Sequence, residues 1–334
     1  MNQKNIFKKK VVITGGNGFI GSHLINKFLN KNFIVLNIDK LSKVSQKIKL
    51  KNNDYHFKRC DLLNEKQLKL ILNDFKPNVI INAAAESHVD RSLELPKYFY
   101  ENNVSSTLNL LEFIRKSKDK IELIHISTDE VFGSLKINQR KFNINSKYEP
   151  RSPYSASKAS SDHAVRAYGE SFGLSYKITN CSNNYGQFQY PEKLIPVIII
   201  KCIERKSIPI FGSGENIRDW IHVIDHVNAI YEVYKKGKNN NTYLIGSNNE
   251  IKNIDITKKI CRIFDKLYKK KKSEKLIKFT KDRKGHDFRY SINNSKISKE
   301  TDWKPVIKLQ EGLENTIKFY FNNYKNLKKI FPYG

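Results

Sequence analysis

A chain of 334 residues with 39% hydrophobic and 11% aromatic side chains has ample material for a core, as one large domain or two interleaved ones, and is too apolar to be disordered. Its 61 Lys and Arg against 33 Asp and Glu give a formal charge of +28. The lysines run along the whole length beside equally widespread Asn and Ile, so they read as a bias on exposed positions and not as a nucleic-acid stripe.

Nucleic acid is therefore not an expected partner. Neither is a membrane, since no apolar run approaches the roughly 18 residues of a span. The opening MNQKNIFKKKVVITGG passes from polar residues straight into a strand without a signal core, which reads as a cytoplasmic chain. Cys60, Cys181, Cys202 and Cys261 show neither CxxC nor Cys/His spacing, so no metal site and no disulfide framework is expected, only reduced, packed thiols.

In chain order, apolar runs alternate with helical patterns: KKVVIT, a helix over 19–31, FIVLNID, a helix over 64–75, VIINAAA, IELIHIST and SYKITNCS. Strand and helix in alternation predict a parallel sheet covered on both faces. In the first helix Ile20, Leu24, Ile25, Phe28 and Leu29 recur at helical spacing and offer the sheet one apolar face. After about residue 185 the rhythm loosens. YPEKLIPVIIIKCIERK reads as a helix opened by Pro191, SIPIFGSGENIRDWIHVIDH as turns and short strands, and 255–268 as a helix running into the basic run 269–272. The expected fold is α/β: a Rossmann-type doubly wound sheet over 1–185, rejoined by parts of 215–250, and a smaller α/β substrate-binding domain over 186–334. That second part should close over ligands at the carboxyl ends of the strands.

Between the first strand and helix stands TGGNGFIG, with Gly15, Gly18 and Gly21 at GxxGxxG spacing. The turn needs glycine for its backbone angles, and a diphosphate needs close approach to N–H groups at a helix N-terminus. FIVLNID ends in Asp39, where a carboxylate accepts both ribose hydroxyls and repels a 2′-phosphate, so NAD is favoured over NADP. Asp61 in CDLL is offered to an adenine amine. Ala83, Ala84 and Ala85 put small residues at a strand end where a cofactor can lie flat.

SPYSASKASSDH carries Tyr154 and Lys158 four apart, on one helix face. A tyrosine with a pKa near 10 needs help to act as a base, and a cation one turn away favours its phenolate. Thr128 supplies a hydroxyl for the same substrate oxygen. IELIHISTDEVFG then raises a burial problem, because a core strand ends in two adjacent acids, Asp129 and Glu130. Two carboxylates in one enclosed site do not both ionise easily, so one stays protonated near neutral pH, and the residues alone do not say which.

From about residue 10 to 325, through TGGNGFIGS, AAESHVDRS, STDEVFG, SPYSASKASSDH, TNCSNNYG, PEKLIP, RDWIHVIDH and DRKGHDFRY, the chain resembles the dTDP-glucose 4,6-dehydratase family of extended short-chain dehydrogenases/reductases. The resemblance implies that Tyr154 takes the proton of a sugar 4-hydroxyl while hydride leaves C4 for NAD, with Lys158 lowering the tyrosine pKa and holding the nicotinamide ribose. Glu130 then corresponds to the base at C5 and Asp129 to the acid at the departing 6-hydroxyl, giving a 4-keto-6-deoxy sugar. The implied cofactor residues also include Phe19, Ile20, Lys40, Leu62, Asn102 and Asn184. The implied nucleotide-sugar residues are Ser87, Thr128, Asn183, Glu192, Lys193, Leu194, Pro209, Phe211, Arg218, Asn253, Arg283 and His286, the two arginines as forks for the diphosphate.

The chain departs from the family pattern at Asn102 (commonly threonine), Phe132 (tyrosine) and Lys284 (proline, which is expected to loosen that substrate loop), and in a shorter 134–150 segment without its usual acid. None of these removes a catalytic group. Related 4-epimerases lack the Asp-Glu pair, so the pair separates the reactions. A UDP-glucose 4,6-dehydratase and a catalytically silent nucleotide-binding protein remain the alternatives. The family commonly forms homodimers through the helices after SHVDRS and SPYSASK, though Leu108 and Leu111 fit an ordinary core equally well.

Overall fold

The computed structural model describes residues 8–270, 272–283 and 285–332; residues 1–7 and Lys284, on which two expectations above bear, lie outside them. The main sheet has seven strands, β1 (Lys10–Thr14), β2 (Ile34–Asp39), β3 (Tyr55–Arg59), β4 (Val79–Asn82), β5 (Glu122–Thr128), β6 (Tyr176–Cys181) and a late strand, Asn241–Ile245. Every pairing is parallel, and the order across the sheet is β3, β2, β1, β4, β5, β6 and the late strand. The chain thus winds outward from β1 in one direction, returns to β4 and winds outward in the other. The crevice between the carboxyl ends of β1 and β4 is the switch point at which such sheets hold ligands.

The alternation of side chains distributes the apolar residues to the two faces of the sheet. Val11, Ile13, Val35, Val79 and Ile81 face Leu24, Ile25 and Phe28 of helix α1 (Phe19–Leu29) and Val227, Ile230 and Val233 of a later helix, Val223–Lys236. Val12, Leu36, Ile80, Leu123 and Ile178 face the opposite side, against α2 (Glu65–Phe75), α3 (Ser106–Lys116) and α4 (Pro153–Phe172). A strand buried on both faces reads as a continuous apolar run, which is why VVI and VII look as they do. Each fully buried Leu, Ile or Phe here contributes about 1.5–3 kcal/mol. Edge strand β3 instead exposes HFKR, whose Lys58 and Arg59 discourage pairing with another sheet.

A second core gathers Tyr185, Ile195, Ile198, Ile199, Trp220, Ile256, Ile260, Phe264, Leu313 and Tyr320 beside the carboxyl ends of the strands. It is built from α5 (Leu194–Glu204), the helices Asn253–Tyr268 and Leu309–Asn323, a three-stranded sheet around Ile217–His222 and a two-stranded one. The first helix ends at Leu29, two residues short of the expected 31, and the start of α5 also differs from expectation. Pro191 does not open α5; it sits in a turn, and Lys193 is the N-cap. Pro196 occupies the first turn, where its missing N–H has no intrahelical partner to lose.

Candidate active site

A cavity of about 520 Å³ runs from the glycine turn, past the ends of β4, β5 and β6, to the second core. The turn has the shape a dinucleotide needs. Gly15 holds φ +66°, and a Cβ there would stand 2.7 Å from the Ala84 Cα; a Cβ on Gly21 would meet the Gly15 carbonyl at 2.2 Å. No side chain caps α1, and its first turn carries no acid, so its N–H groups and dipole are left for an anion. Phe19, Ile20, Ala83 and Ala85 line the same wall. These features fit a pyrophosphate-bearing cofactor.

Deeper in, Thr128 ends β5 and caps the 3₁₀ turn Asp129–Phe132 by accepting from the Glu130 N–H at 3.3 Å. The strand therefore curls at once, and the two acids are presented by a turn instead of by opposite faces of an extended strand. Asp129 is 2% exposed and its Oδ2 has no hydrogen-bond partner. Burial, then Glu130 and Asp219, pushes its carboxyl well above the usual carboxylate range. Glu130 is also raised by burial, but Arg218, Lys193 and Arg283 pull it back. The chain thus makes the two acids unequal: Asp129 holds its proton the more firmly.

Tyr154 and Lys158 lie one turn apart on α4, whose start is fixed by a Ser152–Ser155 capping box and Pro153. Both face the cavity and both are buried. Burial and then Glu130 push the Tyr154 phenol well above its usual value, with the Thr128 hydroxyl opposing. The Lys158 ammonium is pulled down to about 8 by burial and lies 3.3 Å from His125 Nε2. The lysine's lowering of the phenol pKa, implied by the resemblance, is thus outweighed by burial in the protein alone.

Of the remaining expected residues, Ser87, Asn183, Asn184, Glu192, Lys193, Leu194, Pro209, Phe211, Arg218, Asn253, Arg283 and His286 all line the cavity. The Oδ1 atoms of Asn183 and Asn253 are buried without partners, and Lys193 Nζ donates to the Ser87 carbonyl at 2.8 Å. The arginines are less open than forks for a diphosphate would be. Arg218 donates to the carbonyls of Ile217, Asp287 and Phe288 and stacks 4.2 Å over Tyr290. Arg283 pairs with Asp90 at 2.8 Å and stacks 4.4 Å over Phe211, leaving its buried Nε unpartnered.

Six expected cofactor residues do not reach the cavity lining: Asp39, Lys40, Asp61, Leu62, Ala84 and Asn102. Asp39 accepts from Asn17 N–H at 2.9 Å, Leu41 N–H at 2.7 Å and the Ser45 hydroxyl at 3.1 Å, which uses three of its about four acceptor sites. Lys40 donates to Asn102 and stands 4.0 Å from Asp61, so these three form one polar cluster beside Asp39. Sequence reasoning missed Asp90, Trp220, Asp287 and Tyr290, all on the cavity wall. Each lies inside a quoted motif, and only its long-range neighbours reveal it.

The family model for GDP-mannose 4,6 dehydratase matches residues 12–316. A dTDP-glucose 4,6-dehydratase of Escherichia coli is 44% identical over 340 residues, covering 94% of each chain. This chain belongs to the dTDP-glucose 4,6-dehydratase family. Solved dTDP-glucose 4,6-dehydratases agree in fold. The Bacillus anthracis structure, in complex with NAD, is 36% identical with a TM-score of 0.87, covering 98% of this chain and 100% of that one. The Streptomyces venezuelae structure, also with NAD bound, is 33% identical with a TM-score of 0.89, covering 95% and 98%. As a dehydratase of this family the chain has an account for its adjacent acids, which a hydride shuttle alone would not need.

Proposed function

We propose that this protein converts dTDP-glucose to dTDP-4-keto-6-deoxy-glucose and water, with NAD recycled in place. The observation that carries the reading is the unequal acid pair at the end of β5, within reach of the cavity that also holds Tyr154 and Lys158. NAD, when bound along the glycine turn and the 83–85 strand end, supplies a hydride acceptor for C4 and later a hydride donor for C6. Tyr154 receives the 4-hydroxyl proton, Thr128 holds that oxygen, and Lys158 stands behind the phenol as the supporting cation. Glu130, with cationic neighbours that favour its ionised form, takes the C5 proton and returns a proton to C5 when C6 is reduced. Asp129, which keeps its proton, gives it to the departing 6-hydroxyl. Arg218, Lys193 and Arg283 bring positive charge to the sugar-nucleotide end, where a diphosphate would displace Asp90 from Arg283.

We also read the protein as a cytoplasmic homodimer. Among the described residues no helix is long and apolar enough to cross a membrane. Phe172, at the end of α4, is 52% exposed, and Leu108 and Phe113 on α3 are only partly buried, which supports a partner along these helices. Leu111 is fully buried in the core and takes no part. The deciding experiment incubates purified protein with dTDP-glucose and, separately, UDP-glucose, and follows the alkaline absorbance of the keto product. Product from dTDP-glucose is expected; no product from either sugar nucleotide sinks the reading.

A further inference from the structure

Beneath the catalytic lysine lies a buried polar network that the reaction above does not use. Asp162, one turn beyond Lys158 on α4, is fully buried, as is His125 on β5. Its Oδ2 accepts from the hydroxyls of Tyr148 at 2.8 Å and Ser127 at 2.9 Å and from Asn180 Nδ2 at 3.1 Å. Burial pushes its pKa up, but the His125 ring, then Lys158 and the Tyr148 hydroxyl, outweigh it and hold the group below the usual carboxylate range. The other oxygen, Oδ1, has no hydrogen bond, and it faces His125 Nε2 at 3.4 Å.

The tautomer of His125 follows from its surroundings. The Thr107 hydroxyl gives its one proton to the Asn103 carbonyl and can only accept from Asn82, so the NH₂ of Asn82 lies on that side and its Oδ1 accepts from the Thr14 hydroxyl. Asn82 therefore turns its NH₂ toward His125 Nδ1, 3.2 Å away, which makes that nitrogen an acceptor and puts the ring proton on Nε2. Burial and Lys158 push the ring down to about 4, so it is neutral. Its Nε2–H has only Asp162 Oδ1, 3.4 Å away, as an acceptor, because the Lys158 ammonium, 3.3 Å from the same nitrogen, is itself a donor.

We propose that Asp162 is the fixed counter-charge of Lys158, a positioning residue that acts across the neutral His125 ring to keep the lysine cationic at the floor of the active site. The charged and titratable groups facing Lys158 are His125 from β5, Asp162 from its own helix, and Cys181 from β6; those facing Asp162 add Arg166 of α4 and Tyr148 of the preceding loop. Cys181 is pushed up to about 12 and stays a neutral thiol, so of these groups Asp162 alone is an anion at working pH. An ammonium already drawn toward neutrality by burial has little margin: without Asp162 it loses its proton at a lower pH. The network also anchors the lysine's helix to β5 and β6, so fold support and charge support must be separated by experiment.

The inference rests on the proposed dehydratase activity for one of its two tests. Single-turnover oxidation of dTDP-glucose, read as absorbance of the reduced nicotinamide, is measured against pH for wild type, Asp162→Asn and Tyr148→Phe. Asp162→Asn should move the alkaline limb to lower pH by about one unit. Tyr148→Phe removes a donor and keeps the anion, so its limb should stay in place. An unmoved limb in folded Asp162→Asn, or an equal move in Tyr148→Phe, overturns the proposal. The second test is a melting cycle of Asp162→Asn, Lys158→Met and the double variant, which needs no substrate and so survives failure of the functional reading. Removing one partner strands a buried charge, whereas removing both does not. The double variant should melt above Asp162→Asn, or be recovered folded where Asp162→Asn is not. A double variant no better than Asp162→Asn means that the two charges are not coupled, and the proposal falls.

Discussion

Replacing Asp129 by asparagine tests the acid pair most directly. The amide has nearly the shape of the acid, so packing in the Asp129–Phe132 turn is kept, while the transferable proton is lost. A positioned general acid supplies about 10²–10⁴ in rate, or roughly 2.7–5.4 kcal/mol of barrier at 1.36 kcal/mol per tenfold. Elimination should slow by that factor. The opening oxidation, which relies on Tyr154 and Lys158, should proceed, so reduced nicotinamide accumulates on mixing with dTDP-glucose. Stability should move the other way. The folded-state pKa of Asp129 lies above its unfolded value, so the fold is penalised once pH rises through the unfolded value, and the asparagine variant escapes this. The penalty grows by about 1.4 kcal/mol per pH unit while the folded group keeps its proton and the unfolded one has lost it, whereas the unpaired Oδ2 leaves an equally unpaired amide atom in the variant and cancels. The variant should therefore melt about one to a few degrees above wild type near neutral pH, with the gap closing toward about pH 4. Turnover within tenfold of wild type would refute the acid assignment. A melting point depressed more at neutral than at acid pH would refute the electrostatic account.

Tyr154→Phe should suppress the oxidation itself by about 10²–10⁴, seen as no nicotinamide reduction in a single turnover. Glu130→Gln should permit oxidation at C4 but stop elimination, and rapid exchange of the C5 proton with solvent in that variant would show that Glu130 is not the base. Gly15→Ala, at φ +66° and against the Ala84 backbone, should cost about 1–3 kcal/mol and empty the cofactor site, measured as NAD content and melting temperature. Burial holds His88, His125 and His222 down to about 4 and His226 to about 3, against 6.5 unfolded. The unfolded chain takes these protons first, so their contribution is present above about pH 6.5 and is lost as pH falls toward 4, by at most about 1.4 kcal/mol per histidine per pH unit. Melting temperatures that stay flat between about pH 7 and 5 would contradict this.

The legible part of this protein was local. Val and Ile runs between amphipathic helices announced a doubly covered sheet, because burial on both faces leaves a continuous apolar strand. Glycine spacing announced the cofactor turn, because only backbone without Cβ fits beside Ala84. The i, i+4 placement of Tyr154 and Lys158, and the adjacency of Asp129 and Glu130, could likewise be read from spacing alone. What the tertiary structure decided was the electrostatics of those groups. The inequality of the two acids comes from Asp219 and Arg218, some ninety residues downstream, and from Lys193. Asp39 was legible as a carboxylate at a strand end, but not that Ser45 and two backbone N–H groups would engage it. Likewise the pairing of Arg283 with Asp90, 193 residues apart, and the approach of Asp162 to His125, 37 apart, leave no periodic trace. Spacing along a chain sets which face a side chain takes; burial and the charges that meet it there, which fix its protonation and its partners, exist only once distant segments have folded together.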